Sequence, residues 1–239
     1  MTTRVTGPTP QPSEAGRAAG ETPVEHAAEV GREAAHLSAI LLAGGGGRRL
    51  GGADKALLRR GDSSLLGRWA EVLTRRHIPT AVVGPDHLRG HLPQDMLLTR
   101  EDPPLGGPAA AARAGLLALE ETGALDREGA PNGERSVLLA AVDVVDPAPL
   151  LDWLGDEARQ AGGRAVIPRD GDGRLQYLAS AIPARALLAR VRTLRTQEAS
   201  GKPLRLLLEG IEAVHPQLPE GLGADVDTPE DARRLSVDL

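Results

Sequence analysis

From Leu37 onward, runs that are apolar at nearly every position alternate with longer stretches whose apolar residues recur every three or four. The runs, at 37–43, 80–84, 96–102, 136–143, 164–168 and 175–182, read as short strands buried on both faces. The stretches between them read as helices at 63–76, where Ser63 and Ser64 offer a cap, and then at 107–121, 148–160, near 184–193 and at 203–209. A last helix ends the segment 224–235. Strands and helices in this alternation place helices on both faces of a mostly parallel sheet. The expected fold class is therefore α/β, a single Rossmann-like domain of three layers, and ligands of such sheets bind where the strands end.

Residues 1–36 lack this pattern. They are rich in Pro, Gly, Ala, Glu and Thr, and carry too little Ile, Leu and Val to offset the entropy of ordering. The expected division is a disordered arm over 1–36 and one domain over 37–239. A weak surface helix at 24–36 is the alternative that its Ala and Glu content permits.

Composition removes several classes of function. No apolar stretch reaches the roughly 18 residues of a membrane span, and the first residues have neither the basic start nor the apolar centre of a secretion signal. A cytoplasmic protein without a membrane partner is expected. There is no cysteine, so disulfides, thiolate catalysis and cysteine-bound metals are excluded, and any metal must sit on oxygen or histidine ligands. A net charge of −5 and an aromatic content of 1% leave little for a basic groove or a stacking platform. Nucleic acid is not an expected partner.

The candidate chemistry begins where the first strand stops at Gly44-Gly45-Gly46-Gly47, followed by Arg48, Arg49, Asp54 and Lys55. A phosphate-binding P-loop would need Ser or Thr after the lysine, but Ala56 stands there, and no register of the glycines meets the dinucleotide fingerprint. A glycine run alone serves a mobile turn as readily as a phosphate cradle. With Arg48, Arg49 and Lys55 beside it, the loop suits a triphosphate. Asp143 ends another buried run, where a hard oxygen ligand can hold Mg²⁺. Asp225 and Asp227, two apart before the last helix, can face the same way and converge on that cation. Thr228 and Glu230 are explained by helix capping alone. The six histidines show no ligand pairing and are expected at the surface. Arg174 and Gln176, in a turn at 169–178, could face a second substrate or belong to an ordinary turn.

Leu42-Ala43-Gly44-Gly45, Arg49, Gly51 and Asp54-Lys55 together resemble the signature of the nucleotidyltransferase family that includes the molybdenum cofactor guanylyltransferases. The resemblance implies a nucleotidyltransferase-type α/β fold whose glycine loop, Leu42 to Gly47, wraps a nucleoside triphosphate while Arg49 and Lys55 contact its phosphates. It extends to Asp102, Gly107 and Pro108 near the nucleotide, to Asp143 as catalytic metal ligand, and to Asp227 as a second ligand in the closing "ADVDTPEDARRL". By resemblance, the expected activity is Mg²⁺-dependent transfer of GMP from GTP to molybdopterin with release of pyrophosphate. Three departures bear on this. Gly47 stands where the family usually has Ser, Val145 where it has Pro after the strand-end aspartate, and Gly84-Pro85 where guanylyltransferases often have Asn. Cytidylyl or other nucleotidyl transfer to molybdopterin or another phosphorylated metabolite is the alternative within the fold. A non-catalytic nucleotide-binding module is the alternative outside it.

Overall fold

The computed structural model describes residues 36–45, 48–126 and 135–239. The proposed arm over 1–35, together with Gly46 and Gly47, lies outside the described residues. The strands are β1 (Leu37–Leu42), β2 (Arg59–Arg60), β3 (Ser63–Ser64), β4 (Thr80–Val83), β5 (Leu97–Thr99), β6 (Ser136–Ala141), β7 (Ala165–Val166), β8 (Ala179–Pro183) and β9 (Ala213–Val214). The α-helices are α1 (Leu65–Arg75), α2 (Gly107–Glu121), α3 (Pro147–Gln160), α4 (Ala184–Thr193), α5 (Thr196–Ala199), α6 (Arg205–Leu208) and α7 (Pro229–Arg234).

One seven-stranded sheet runs in the order β5-β4-β1-β6-β8-β7-β9. Parallel pairing joins β1 to β4 and β6, β4 to β5, and β7 to β9, while β8 runs antiparallel to both neighbours. The mostly parallel sheet expected from the pattern is the sheet found. Strand β1 is buried at all six positions, and its side chains divide by the two-residue period. Leu37, Ala39 and Leu41 pack with Leu66, Trp69 and Leu73 of α1 and with Leu150, Leu151 and Leu154 of α3. Ile40 and Leu42 pack with Ala109, Ala112, Leu116 and Leu119 of α2 and with Leu187 of α4. These two cores make the three layers.

The periodic elements lie where the pattern puts them, with ends shifted by a few residues. Ser64 caps α1 by accepting from the Gly67 amide at 3.0 Å. Two short features go beyond the pattern: the β2–β3 hairpin, too brief to show alternation, and the edge strand β9. One expectation is corrected. His36, expected in the arm and at the surface, is 4% exposed, and its carbonyl accepts from the Ser136 amide at the start of β6. The domain therefore includes His36. Among the described residues, no helix is long and apolar enough to cross a membrane.

Strand β1 leads outward through β4 to β5, after which the chain crosses to β6 on the other side of β1. The segments leaving β1 and β6 thus diverge and open a crevice at the carboxyl ends of the strands.

Candidate active site

A cleft of about 340 Å³ occupies that crevice. Its walls include Leu42, Ala43, Gly44 and Gly45 after β1, Lys55, Gly107 and Pro108 at the start of α2, and Asp143 after β6. The Ala43 amide donates to the Val83 carbonyl at 2.8 Å, and the Val142 amide to the Leu42 carbonyl at 3.0 Å, so the base of the glycine loop is pinned from both sides. Gly107 has φ +82°, a conformation that suits glycine, and a Cβ there would sit 3.5 Å from the Lys202 carbonyl.

Lys55 occupies the centre. Its Nζ donates to Asp143 Oδ2 at 2.8 Å and to Asp227 Oδ1 at 2.5 Å, joining residues 88 and 172 positions apart in sequence. Burial lowers the tendency of the Lys55 ammonium to stay charged, but the hydrogen bonds and charges of Asp143 and Asp227 outweigh it and hold its pKa above the usual lysine value. Asp54 fixes the lysine's turn by accepting from the Ala56 amide at 3.0 Å, and its other oxygen lies 2.7 Å from His87 Nε2.

The acidic side is assembled from two distant segments. Val144 and Asp225 form an antiparallel bridge, the Val145 amide donates to the Ala224 carbonyl, and the Val226 amide donates to the Asp143 carbonyl. One carboxylate oxygen from each of Asp143, Asp225 and Asp227 thereby falls within 4.8 Å of the others. Loss of hydration, and then the charges of Asp143 and Asp227, raise the Asp225 pKa, with Lys55 opposing. Three clustered carboxylates are the hard oxygen donors that Mg²⁺ prefers, so the residues present fit that ion.

The Asp143 loop is held from below by α1. Trp69 Nε1 donates to the Val144 carbonyl at 3.0 Å, and Arg68 Nε to the Val145 carbonyl at 2.9 Å. Arg60 and Arg68 each reach Asp146 Oδ1 at 2.7 Å and keep its carboxyl below the usual range against the effect of burial. These contacts clamp the loop in which the family's proline is missing.

The residues expected to act together are brought together in part. Lys55, Asp143 and Asp227 converge, and Gly107 and Pro108 line the cleft. Arg49 stands at the rim, 77% exposed and 4.0 Å from Asp227. Asp102 is exposed and outside the cleft wall, whereas its neighbour Glu101 lines the cleft and accepts from the Leu105 amide at 3.0 Å. Glu101, Asp54 and Leu178 are lining residues that sequence reasoning did not single out. The acidic pair before Gly106-Gly107-Pro108 was the signal for Glu101. Gln176 is bound back to Asp170 within its own turn.

Comparison with known proteins follows the same lines. The model of the MobA-like NTP transferase domain matches residues 39–214. The molybdenum cofactor guanylyltransferase of Pseudomonas fluorescens strain SBW25 is 32% identical over 196 residues, covering 81% of this chain and 90% of the relative. Among solved structures, molybdopterin-guanine dinucleotide biosynthesis protein A from Archaeoglobus fulgidus superposes with a TM-score of 0.60 at 20% identity, over 83% of this chain and 96% of that one. The 2-C-methyl-D-erythritol 4-phosphate cytidylyltransferase from Thermus thermophilus superposes with a TM-score of 0.55 at 16% identity, over 83% and 96%. These two similarities concern the fold.

Proposed function

The chain belongs to the MobA-like NTP transferase family and is a nucleotidyltransferase, and from that premise we propose that it transfers GMP from GTP to molybdopterin in an Mg²⁺-dependent reaction. The observation that carries the reading is the meeting of the Lys55 ammonium with the Asp143 and Asp227 carboxylates beside the glycine loop. The name of the Pseudomonas relative supports the choice of donor and acceptor.

In this reaction a phosphate oxygen of the acceptor attacks the α-phosphorus of GTP, the bond between the α- and β-phosphates breaks, and pyrophosphate leaves. The protein needs to align the two phosphates and neutralise their charge. Gly44 and Gly45 let the backbone approach the phosphates, and Lys55 and Arg49 supply positive charge. Asp143 and Asp227, with Asp225 beside them, would hold Mg²⁺. When bound, the ion supplies further charge neutralisation and a template for alignment. The phosphate contacts are common to all nucleoside triphosphates, so the base is selected at the other end of the cleft, near Val83 and Glu101.

The test is thermal stabilisation by each nucleoside triphosphate with Mg²⁺, followed by pyrophosphate release on adding molybdopterin. GTP is expected to stabilise most and to turn over, and a folded Asp143→Ala variant to lose turnover by orders of magnitude. Stabilisation chiefly by CTP would install the cytidylyl alternative. Absence of turnover with molybdopterin and any nucleotide would remove the acceptor.

A further inference from the structure

The nucleotide cleft lies over β5, β4, β1 and β6. The rest of the sheet, β8, β7 and β9, carries a second depression at the same carboxyl-end level, of about 620 Å³. A third depression, which includes Pro79 and Thr80, lies at the opposite end of the strands, where no acceptor could reach Asp143. We propose that the second depression is the acceptor subsite, built for a planar 2-amino-4-oxo heterocycle of the pterin class carrying a phosphate. This rests on the nucleotidyl-transfer reading above and adds to it the place and orientation of the acceptor.

Position comes first. Tyr177 lines the second depression, and the next residue, Leu178, lines the nucleotide cleft together with Asp143. Lys202 lines the second depression, while its carbonyl accepts from the Ala109 amide at the start of α2, the helix whose Gly107 and Pro108 wall the first. The Gly201 amide donates to the Gly106 carbonyl at 2.7 Å, which closes the same partition. The two depressions therefore share a wall one strand away from the aspartates. A ligand in the second can extend its phosphate over that wall toward a nucleotide in the first.

The chemistry of the lining gives the class of ligand. Ile167, Leu175 and Leu206 offer an apolar bed, and Tyr177, the only tyrosine of the chain, adds an aromatic face on which a flat ring can lie. Lys202 and Arg205 are cations suited to a phosphate, and Lys202 stands at the shared wall. Glu209 is an acceptor when ionised, so it pairs with a ring edge that presents adjacent N–H donors, as the amino group and ring N–H of a 2-amino-4-oxo heterocycle do. His215 Nδ1 lies 2.8 Å from the Ile167 carbonyl, which can only accept. The proton is thus on Nδ1, and in the neutral ring Nε2 is an acceptor for a further N–H group. Phosphate toward the partition and ring toward Glu209 is the one orientation that satisfies both ends.

The experiment uses the full chain and the intrinsic fluorescence of 6-hydroxymethylpterin monophosphate as probe, with the unphosphorylated pterin alongside. The phosphorylated probe is expected to bind the wild-type protein more tightly than the unphosphorylated one. Lys202→Glu and Arg205→Glu should weaken it at least about tenfold, a difference of about 1.4 kcal/mol, and bring the two probes level. Glu209→Gln should weaken both probes alike. Thermal stabilisation by GTP with Mg²⁺ should be the same in all variants, which separates this site from the nucleotide cleft. No binding of the phosphorylated probe to wild type, or affinity unchanged in the three variants, overturns the proposal. Probe binding without any nucleotide-dependent stabilisation or pyrophosphate release would overturn the reaction while leaving the pterin site in place.

Discussion

The buried indole of Trp69 donates its N–H to the carbonyl of Val144, 75 residues away and next to the metal-side aspartate Asp143. The side chain of a core helix thus sets the direction of a catalytic loop. Trp69→Phe keeps most of the packed ring but leaves the Val144 carbonyl without its donor, at a cost of about 1–3 kcal/mol. The expected result is a modestly lower melting temperature and a rise in the Mg²⁺ concentration needed for half-maximal pyrophosphate release. A stability loss with an unchanged Mg²⁺ requirement would reduce Trp69 to a packing residue.

Lys55 neutralises the carboxylates on which a divalent cation would bind. Without nucleotide, its ammonium and the cation compete for Asp143 and Asp227. Lys55→Met should therefore bind Mn²⁺ at least about tenfold more tightly than wild type when no nucleotide is present, as read from the paramagnetic resonance signal of free Mn²⁺. The same variant should bind GTP more weakly, since a phosphate contact is lost. Equal Mn²⁺ affinity in the two proteins would show that the ammonium does not oppose the ion.

Much of this was legible in the chain. Helix α2 spans the expected 107–121 because small and apolar residues mark its buried side between clear stops, and β1, β4 and β6 stand out because both faces are buried. Lys55 and Asp143 were legible because a glycine loop and a strand end carry chemistry in a recognisable order. What pattern could not supply was long-range pairing. The reversed direction of β8 depends on its pairing with β6 and β7, and the Trp69–Val144 hydrogen bond on helix packing. Which of the adjacent Glu101 and Asp102 faces the cleft is decided by the turn that holds them, where neither residue has a periodic neighbour to betray its side.

Gly115 shows how closely α2 is seated on the sheet. A Cβ at this position would lie 2.6 Å from Ile40 Cγ2 and 2.9 Å from Val83 Cγ2. Alanine would raise helix propensity by about 1 kcal/mol. Against this, both neighbours are β-branched residues on central strands with little rotamer freedom, and overpacking typically costs about 1–3 kcal/mol. Gly115→Ala should therefore lower the denaturation midpoint despite its better helix former, and because α2 walls the nucleotide cleft it should also weaken GTP binding. A stabilised Gly115→Ala protein would show that the helix can move away from the sheet at little cost.

His36 gives the fold a pH dependence whose sign can be worked out. Burial first, and then the charges of Arg159 and Arg135, lower the imidazole pKa below 6.5, with a backbone hydrogen bond at Gly155 opposing. In the unfolded chain the same ring titrates near 6.5. Between the lowered folded value and 6.5 the unfolded state binds more protons, so stability rises with pH across that window. The contribution is complete above about 6.5 and is lost as the solution is acidified toward the folded pKa. His36→Leu removes the titrating group, so its melting temperature should fall less than that of wild type between about pH 7.5 and pH 5.5. Carboxylates such as Asp146 titrate at lower pH and contribute equally to both proteins, which leaves the difference in slope to His36. Parallel melting curves for the two proteins across this range would mean that the ring is protonated as easily in the folded chain as in the unfolded one.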